Sequence, residues 1–157
     1  MLTMADRGTS SDDYCEELKL VPVEYVLYVW MEVFNVIREN SDGLLERYTE
    51  DELLGEIVKG ILDLWVIIEE GSIIVASLAS WDRHVQESSY HIIWIGGTNF
   101  KKYYERAIRK IERYVLLLKG TEVVISGRRG WLKRMGPLGY EQKNIQIRKN
   151  VRKAWSN

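Results

Sequence analysis

Two hydrophobic periods alternate along the chain. Over residues 99–119 the period is helical: Phe100, Tyr103, Tyr104, Ala107, Ile108, Ile111, Tyr114, Val115 and Leu118 share one face. Lys101, Lys102, Glu105, Arg106, Arg109, Lys110, Glu112 and Arg113 occupy the other, so this helix is expected to lie with its apolar stripe against a sheet. Residues 23–39 carry apolar side chains on most helical faces, among them Val26, Leu27, Trp30, Met31, Val33 and Ile37, which predicts burial on more than one side. Pro22 suits the first turn of that helix. Ser41, Asp42 and Gly43 break it. Thr49, followed three residues later by Glu52, predicts a capping box at the head of a second helix that Gly60 ends.

Strand signals fill the intervals. Residues 17–21 read as a short strand. Residues 64–69 and 72–80 flank Glu70-Gly71 and predict an antiparallel hairpin, since a tight turn with Gly matches the twist of the flanking strands. Residues 81–88 read as a polar connection and 89–95 as a third strand, ending at Gly96-Gly97. After a stop at Lys119-Gly120, residues 122–126 read as a further strand. A basic turn over 127–130 leads to a short helix, 131–135, which Pro137 and Gly139 break. Ile145, Ile147 and Val151 then alternate with Asn144, Gln146, Arg148 and Asn150, which predicts a half-buried antiparallel strand. The expected class is α+β, a mixed and mainly antiparallel sheet flanked by helices. Residues 1–16 are expected to be a flexible polar tail and 17–157 a single domain.

Composition narrows this picture in three ways. At 157 residues the chain is long enough to bury roughly two thirds of its unfolded surface. Its single cysteine, Cys15, excludes an internal disulfide and leaves no thiol pair for a structural metal, so no metal is expected. No apolar run approaches the ~20 residues of a membrane helix, and residues 1–14 lack the apolar core of a signal peptide; neither a membrane nor secretion by that route is expected. Six Trp and nine Tyr against two Phe suit half-buried positions and interfaces.

Charge is unevenly distributed. Residues 1–98 hold 6 Lys or Arg against 19 Asp or Glu, a balance of −13, and residues 99–157 hold 16 against 4, a balance of +12. Such asymmetry points to partners. The basic half suits phosphates of a nucleotide cofactor or a nucleic acid, and the acidic half suits a cationic substrate. A second copy, acidic surface to basic surface, would give a head-to-tail homo-oligomer. Two solvated faces would give the same count.

The order strand, helix, helix, three strands, helix, strand, short helix, strand is similar to the fold of the GCN5-related N-acetyltransferases. Ile95-Gly96-Gly97, the charged helix from Phe100, the run from Val123 through Arg128-Arg129-Gly130-Trp131, and Gly136-Pro137-Leu138-Gly139-Tyr140 resemble acetyltransferase-like proteins of tailed bacteriophages. The match covers residues 64–151. The resemblance implies that acetyl-CoA sits in a V between the strands at residues 90–95 and 122–126, held by Trp94, Ile95, Gly96, Gly97, Thr98 and Asn99. Members of the family carry small residues through the loop that opens the central helix, where backbone N–H groups approach the pyrophosphate. Here Gly96-Gly97-Thr98-Asn99-Phe100 keeps two glycines and lacks the rest, so the motif is degenerate.

Acyl transfer to an amine needs a base, oxyanion donors and an acid for the thiolate. His91 is the candidate base, although its parity with Ile93 and Ile95 also reads as packing, and the resemblance offers Tyr140 as the acid. Asp82, His84 and Glu87 would face a cationic substrate or simply form a wet turn. Arg128, Arg129, Lys133 and Arg134 with Trp131 read as an interaction surface or as a surface turn whose Trp covers the core. Together with Lys143, Arg148, Lys149, Arg152 and Lys153 they would also suit a nucleic acid. The leading expectation is a phage-encoded virion or assembly protein on a degenerate acyltransferase fold, located in the host cytoplasm or the virion, with copies of itself or other virion proteins as partners. The alternative is an active acetyl-CoA-dependent N-acetyltransferase acting on a protein or small amine, and a third reading is a nucleic-acid-binding accessory.

Overall fold

The computed structural model describes residues 17–41, 43–126, 129–142 and 149–155, which gather into two units divided after Ser126. In the first unit five strands form one sheet in sequence order: β1 (Leu18–Leu20), β2 (Asp63–Glu69), β3 (Ser72–Arg83), β4 (Ser88–Gly97) and β5 (Glu122–Ile125). The first four are antiparallel neighbours, while β4 and β5 run parallel. Helices α1 (Val26–Glu39), α2 (Leu44–Arg47) and α3 (Glu50–Val58) precede β2, and α4 (Phe100–Leu117) makes the crossover that a parallel pair requires.

Alternation along the strands divides the core. Leu64, Val66, Ala76, Leu78 and Trp94 pack with Val26, Trp30, Val33 and Ile37 of α1 and with Leu53 and Ile57 of α3. On the opposite face Trp65 and Tyr90 meet Tyr114 of α4, with ring centroids 5.0 and 5.5 Å apart. Tyr103, Ala107, Ile108, Ile111 and Val115 complete the buried stripe of α4. The hairpin turn has φ of 52° at Glu70 and 79° at Gly71, the two positive values of a type I′ turn. At the head of α3, Thr49 Oγ1 accepts from the Glu52 amide and Glu52 Oε1 accepts from the Thr49 amide, both at 3.1 Å.

Four expectations are corrected. Helix α1 buries one side only: Leu27, Tyr28 and Met31 are 70%, 84% and 80% exposed. A short helix, α2, follows Gly43, whose φ of 90° suits glycine. Residues 81–83 belong to β3 and not to a connection, because Trp81 stacks on Tyr90 at 4.7 Å and Arg83 covers the Trp81 ring at 3.9 Å. Asp82 and Arg83 therefore stay in register with Ser89 and Ser88. Val151 opens a helix, α6 (Val151–Trp155), instead of continuing a strand; Asn150 Oδ1 accepts from the Lys153 amide at 2.9 Å, an N-cap that overrides side-chain alternation. Among the described residues that second unit also holds α5 (Arg129–Met135), which starts two residues earlier than expected, and a 3₁₀ turn over Gly136–Leu138. The tail at residues 1–16 and the strand positions 143–148 lie outside the described residues.

One irregularity positions everything that follows. Leu78 lies opposite Trp94 while its neighbour Ala79 lies opposite Ile92, so Ile93 is the extra residue of a β-bulge in β4. Parity changes there. His91, opposite Ser80, and Trp94, opposite Leu78, share the α1 face, whereas Ile95, opposite Ser77, is turned to the α4 face.

Candidate functional site

The parallel ladder between β4 and β5 is short. Ser89, Tyr90, His91 and Ile92 stand opposite Glu122, Val123, Val124 and Ile125, and a last bond runs from the Ser126 amide to the Ile92 carbonyl at 3.4 Å. The bulge begins at the next residue. Strand β4 continues to Gly97 beyond the end of β5, and among the described residues its edge there has no partner strand on that side. A free edge of this kind offers backbone donors and acceptors to an extended amide-bearing ligand.

At the end of the ladder His91 Nε2 lies 2.5 Å from Ser126 Oγ. His91 is half-buried. Burial and then the nearby Arg47 cation hold its pKa below the ordinary histidine value, with Asp82 opposing them. The ring is therefore neutral at physiological pH; in one tautomer Nε2 accepts from the serine hydroxyl and in the other it donates to Oγ. His84, the other histidine, pairs with Asp82 at 3.0 Å, where both side chains are about two-thirds exposed. Its amide donates to the Glu87 carbonyl at 2.6 Å, so Asp82, His84 and Glu87 sit at a wet turn.

The glycine loop is engaged with the chain itself. A Cβ at Gly97 would stand 2.1 Å from the Ile74 carbonyl oxygen, and one at Gly96 would stand 2.9 Å from the Trp94 ring. The Thr98 amide donates to the same Ile74 carbonyl at 2.8 Å. Asn99, at φ 57°, precedes α4 and makes no side-chain cap. Trp94 and Ile95 are buried, and Trp94 Nε1 donates to the Asn40 carbonyl at 3.0 Å. At the head of α4 the exposed Lys101 and Lys102 join the positive end of the helix.

The other candidates belong to the second unit. Tyr140 is half-buried and its amide donates to the Met135 carbonyl at 3.3 Å. Arg134 lies 5.8 Å from the centroid of the half-buried Trp131, and Lys133 is exposed. Arg129 opens α5, and Arg128 lies outside the described residues. Two residues at the His91 site escaped the sequence reading, Ser126 and Arg47. Ser126 had a signal: it shares parity with Val124, the residue opposite His91, once β4 and β5 are paired in parallel register. Arg47 had none, because α2 itself was unforeseen.

No protein-family model matches the chain, and no curated protein matches it in sequence. Solved structures do match. An aminoglycoside acetyltransferase from an uncultured soil metagenomic sample, in complex with sisomicin, superposes with a TM-score of 0.66 at 9% identity, over 90% of this chain and 99% of that one. A Trypanosoma brucei acetyltransferase gives 0.63 at 11% identity, over 86% and 99%. An aminoglycoside N-acetyltransferase in complex with CoA gives 0.62 at 14%, over 85% and 94%. The likeness extends along most of each of these chains, and this chain has the fold of the GCN5-related N-acyltransferases.

Proposed function

We propose that the protein transfers an acyl group, in the simplest form acetyl from acetyl-CoA, to an amine. The observation that carries this reading is a neutral, half-buried histidine at the point where β5 ends and the free edge of β4 begins. The residues fit an acyl-CoA in part. The β4 edge suits the amide-bearing arm, and the head of α4 with Lys101 and Lys102 suits an anion. The glycine cradle does not contribute, since Ile74 fills it. Bound acyl-CoA would supply a thioester, and His91 would take up the proton that the transfer releases. Tyr140 is proposed as the acid on the strength of the family resemblance. Solved neighbours act, by their names, on aminoglycosides and on glucosamine-6-phosphate; a cationic amine would likewise be drawn to the acidic head of α3, where Glu50, Asp51 and Glu52 are exposed.

Calorimetric titration with acetyl-CoA and with CoA tests this directly. Micromolar binding is expected, weakened at least about tenfold in a Lys101→Glu/Lys102→Glu variant by reversal of the local charge. No heat and no thermal stabilisation at millimolar ligand would remove the reading.

A second reading is an assembly protein that associates with copies of itself, and one surface supports the self-association alone. Val23, Tyr25, Leu27, Tyr28 and Met31 are 46–84% exposed, an apolar strip beside the acidic Glu24 and Glu32 that would suit the basic outer face of α4 on another copy. On this reading a Tyr28→Lys/Met31→Glu variant loses a salt-sensitive self-association seen by analytical ultracentrifugation. A wild-type monomer at low salt would count against it.

A further inference from the structure

Charge divides where the chain divides. Residues 127–157, the second unit, hold 9 Lys or Arg against 1 Asp or Glu, a balance of +8, whereas residues 1–126 hold 13 against 22, a balance of −9. Acyl transfer as proposed above makes no use of that cationic excess. A balance of this size in so short a stretch is the electrostatic footprint of a polyanion.

The segment around α6 shows how the charge is displayed. Asn150 Oδ1 caps the helix through the Lys153 amide. Val151 stands four residues before Trp155 and Arg152 three before it, so both are surface neighbours of the indole. Trp155 is 78% exposed and Val151 59%. Lys149, Arg152 and Lys153 are exposed as well. Neither Lys149 nor Arg152 joins an ion pair among the described residues. An indole beside cations suits a ligand that presents flat rings and negative charges in alternation.

We infer that the second unit binds single-stranded nucleic acid, with Lys149 and Arg152 on phosphates and the Trp155 ring stacked on a base. Two features select this occupant. An acidic peptide or a sulfated polysaccharide would satisfy the cations but leave the indole without a flat partner. In a duplex the base faces are already stacked on one another, and α6 spans five residues, roughly 8 Å at the helical rise, too short to lie along a major groove. Unpaired bases offer their faces freely, and the phosphates between them meet the cations. This binding does not depend on the acyl-transfer reading.

Fluorescence anisotropy of labelled oligothymidylate and oligouridylate, titrated with the full chain over about 50–200 mM salt, tests the inference. Binding is expected to fall with salt, and the tighter of the two oligonucleotides names the strand. Lys149→Gln/Arg152→Gln should flatten the slope of log K against log salt by about 1.4, two phosphate contacts on a single strand. Trp155→Ala, at an exposed position, should keep the circular dichroism of the wild type and its salt slope while binding on the order of tenfold more weakly. It should also lose the quenching of Trp fluorescence that the oligonucleotide produces. Heparin, a polyanion without bases, should bind Trp155→Ala and the wild type alike. No binding of either oligonucleotide at the lowest salt overturns the inference. So does a Trp155→Ala variant that binds them as tightly as the wild type, or one that loses heparin and oligonucleotide equally. Self-association of the chain that Lys149→Gln/Arg152→Gln abolishes would give this face to a second copy and overturn it too.

Discussion

Gly97 lies so close to Ile74 that a Cβ on it would stand 2.1 Å from the Ile74 carbonyl oxygen and 2.6 Å from Val75 Cα. Its φ of 148° adds conformational strain for any other residue. Backbone contacts of this kind cannot relax by rotating a side chain. Gly97→Ala is therefore expected to cost about 2–6 kcal/mol, a strained backbone of about 1–3 kcal/mol plus overpacking of similar size. Urea unfolding followed by Trp fluorescence measures it. Gly136→Ala, where an added Cβ meets nothing within 4 Å, is the control and should stay within about 0.5 kcal/mol of wild type. An unchanged midpoint in Gly97→Ala would mean that the β3–β4 contact is looser than described and would return Gly97 to the anion site.

The same glycine shows what a linear reading could and could not see. A Gly-Gly pair ahead of a helix looks identical in sequence whether a phosphate or another strand approaches it, and here the approach is by β3. The helix of residues 99–119 was legible because its buried residues, Tyr103, Ala107, Ile108, Ile111 and Val115, follow from period alone. The capping box at Thr49 and Glu52 and the Glu70-Gly71 turn were legible for the same reason, since their determinants are neighbours in the chain. The bulge at Ile93 was not. It inserts one residue without any local mark and moves Ile95 to the face opposite His91, so parity grouped residues that the sheet separates. Leu27 and Met31 misled in the other direction: apolar residues on an outer helical face carry no sequence label that says they are exposed.

Tyr90 supplies a prediction about the α4 face. Its hydroxyl donates to Asp63 Oδ2 at 2.6 Å and accepts from Trp65 Nε1 at 2.8 Å. Burial, then the Asp63 carboxylate, push its pKa up, so it remains a neutral donor across the neutral range. Tyr90→Phe keeps the ring stacked among Trp81 and Tyr114 but leaves the buried Trp65 N–H without its acceptor. The expected loss is about 1–3 kcal/mol, the usual penalty for an orphaned buried donor, read as a lower thermal midpoint. A midpoint equal to wild type would show that water replaces the hydroxyl and that the cluster is held by ring packing alone.

His91 makes the site pH-sensitive in a direction that can be worked out. Its pKa in the folded chain lies below the ordinary 6.5, so between the two values the unfolded chain binds more protons than the folded one. Stability then rises with pH through that window and is lost as pH falls from about 6.5 through the folded value. His91→Gln should flatten this segment of the stability curve. The two charges that bear on the ring give opposite signs. Removing the cation in Arg47→Gln should raise the midpoint, and removing the carboxylate in Asp82→Asn should lower it. NMR titration of the imidazole C–H signals reads both shifts, with His84 as the only other histidine in the chain. A midpoint that does not rise in Arg47→Gln, or does not fall in Asp82→Asn, would show that these two charges do not set the basicity of His91.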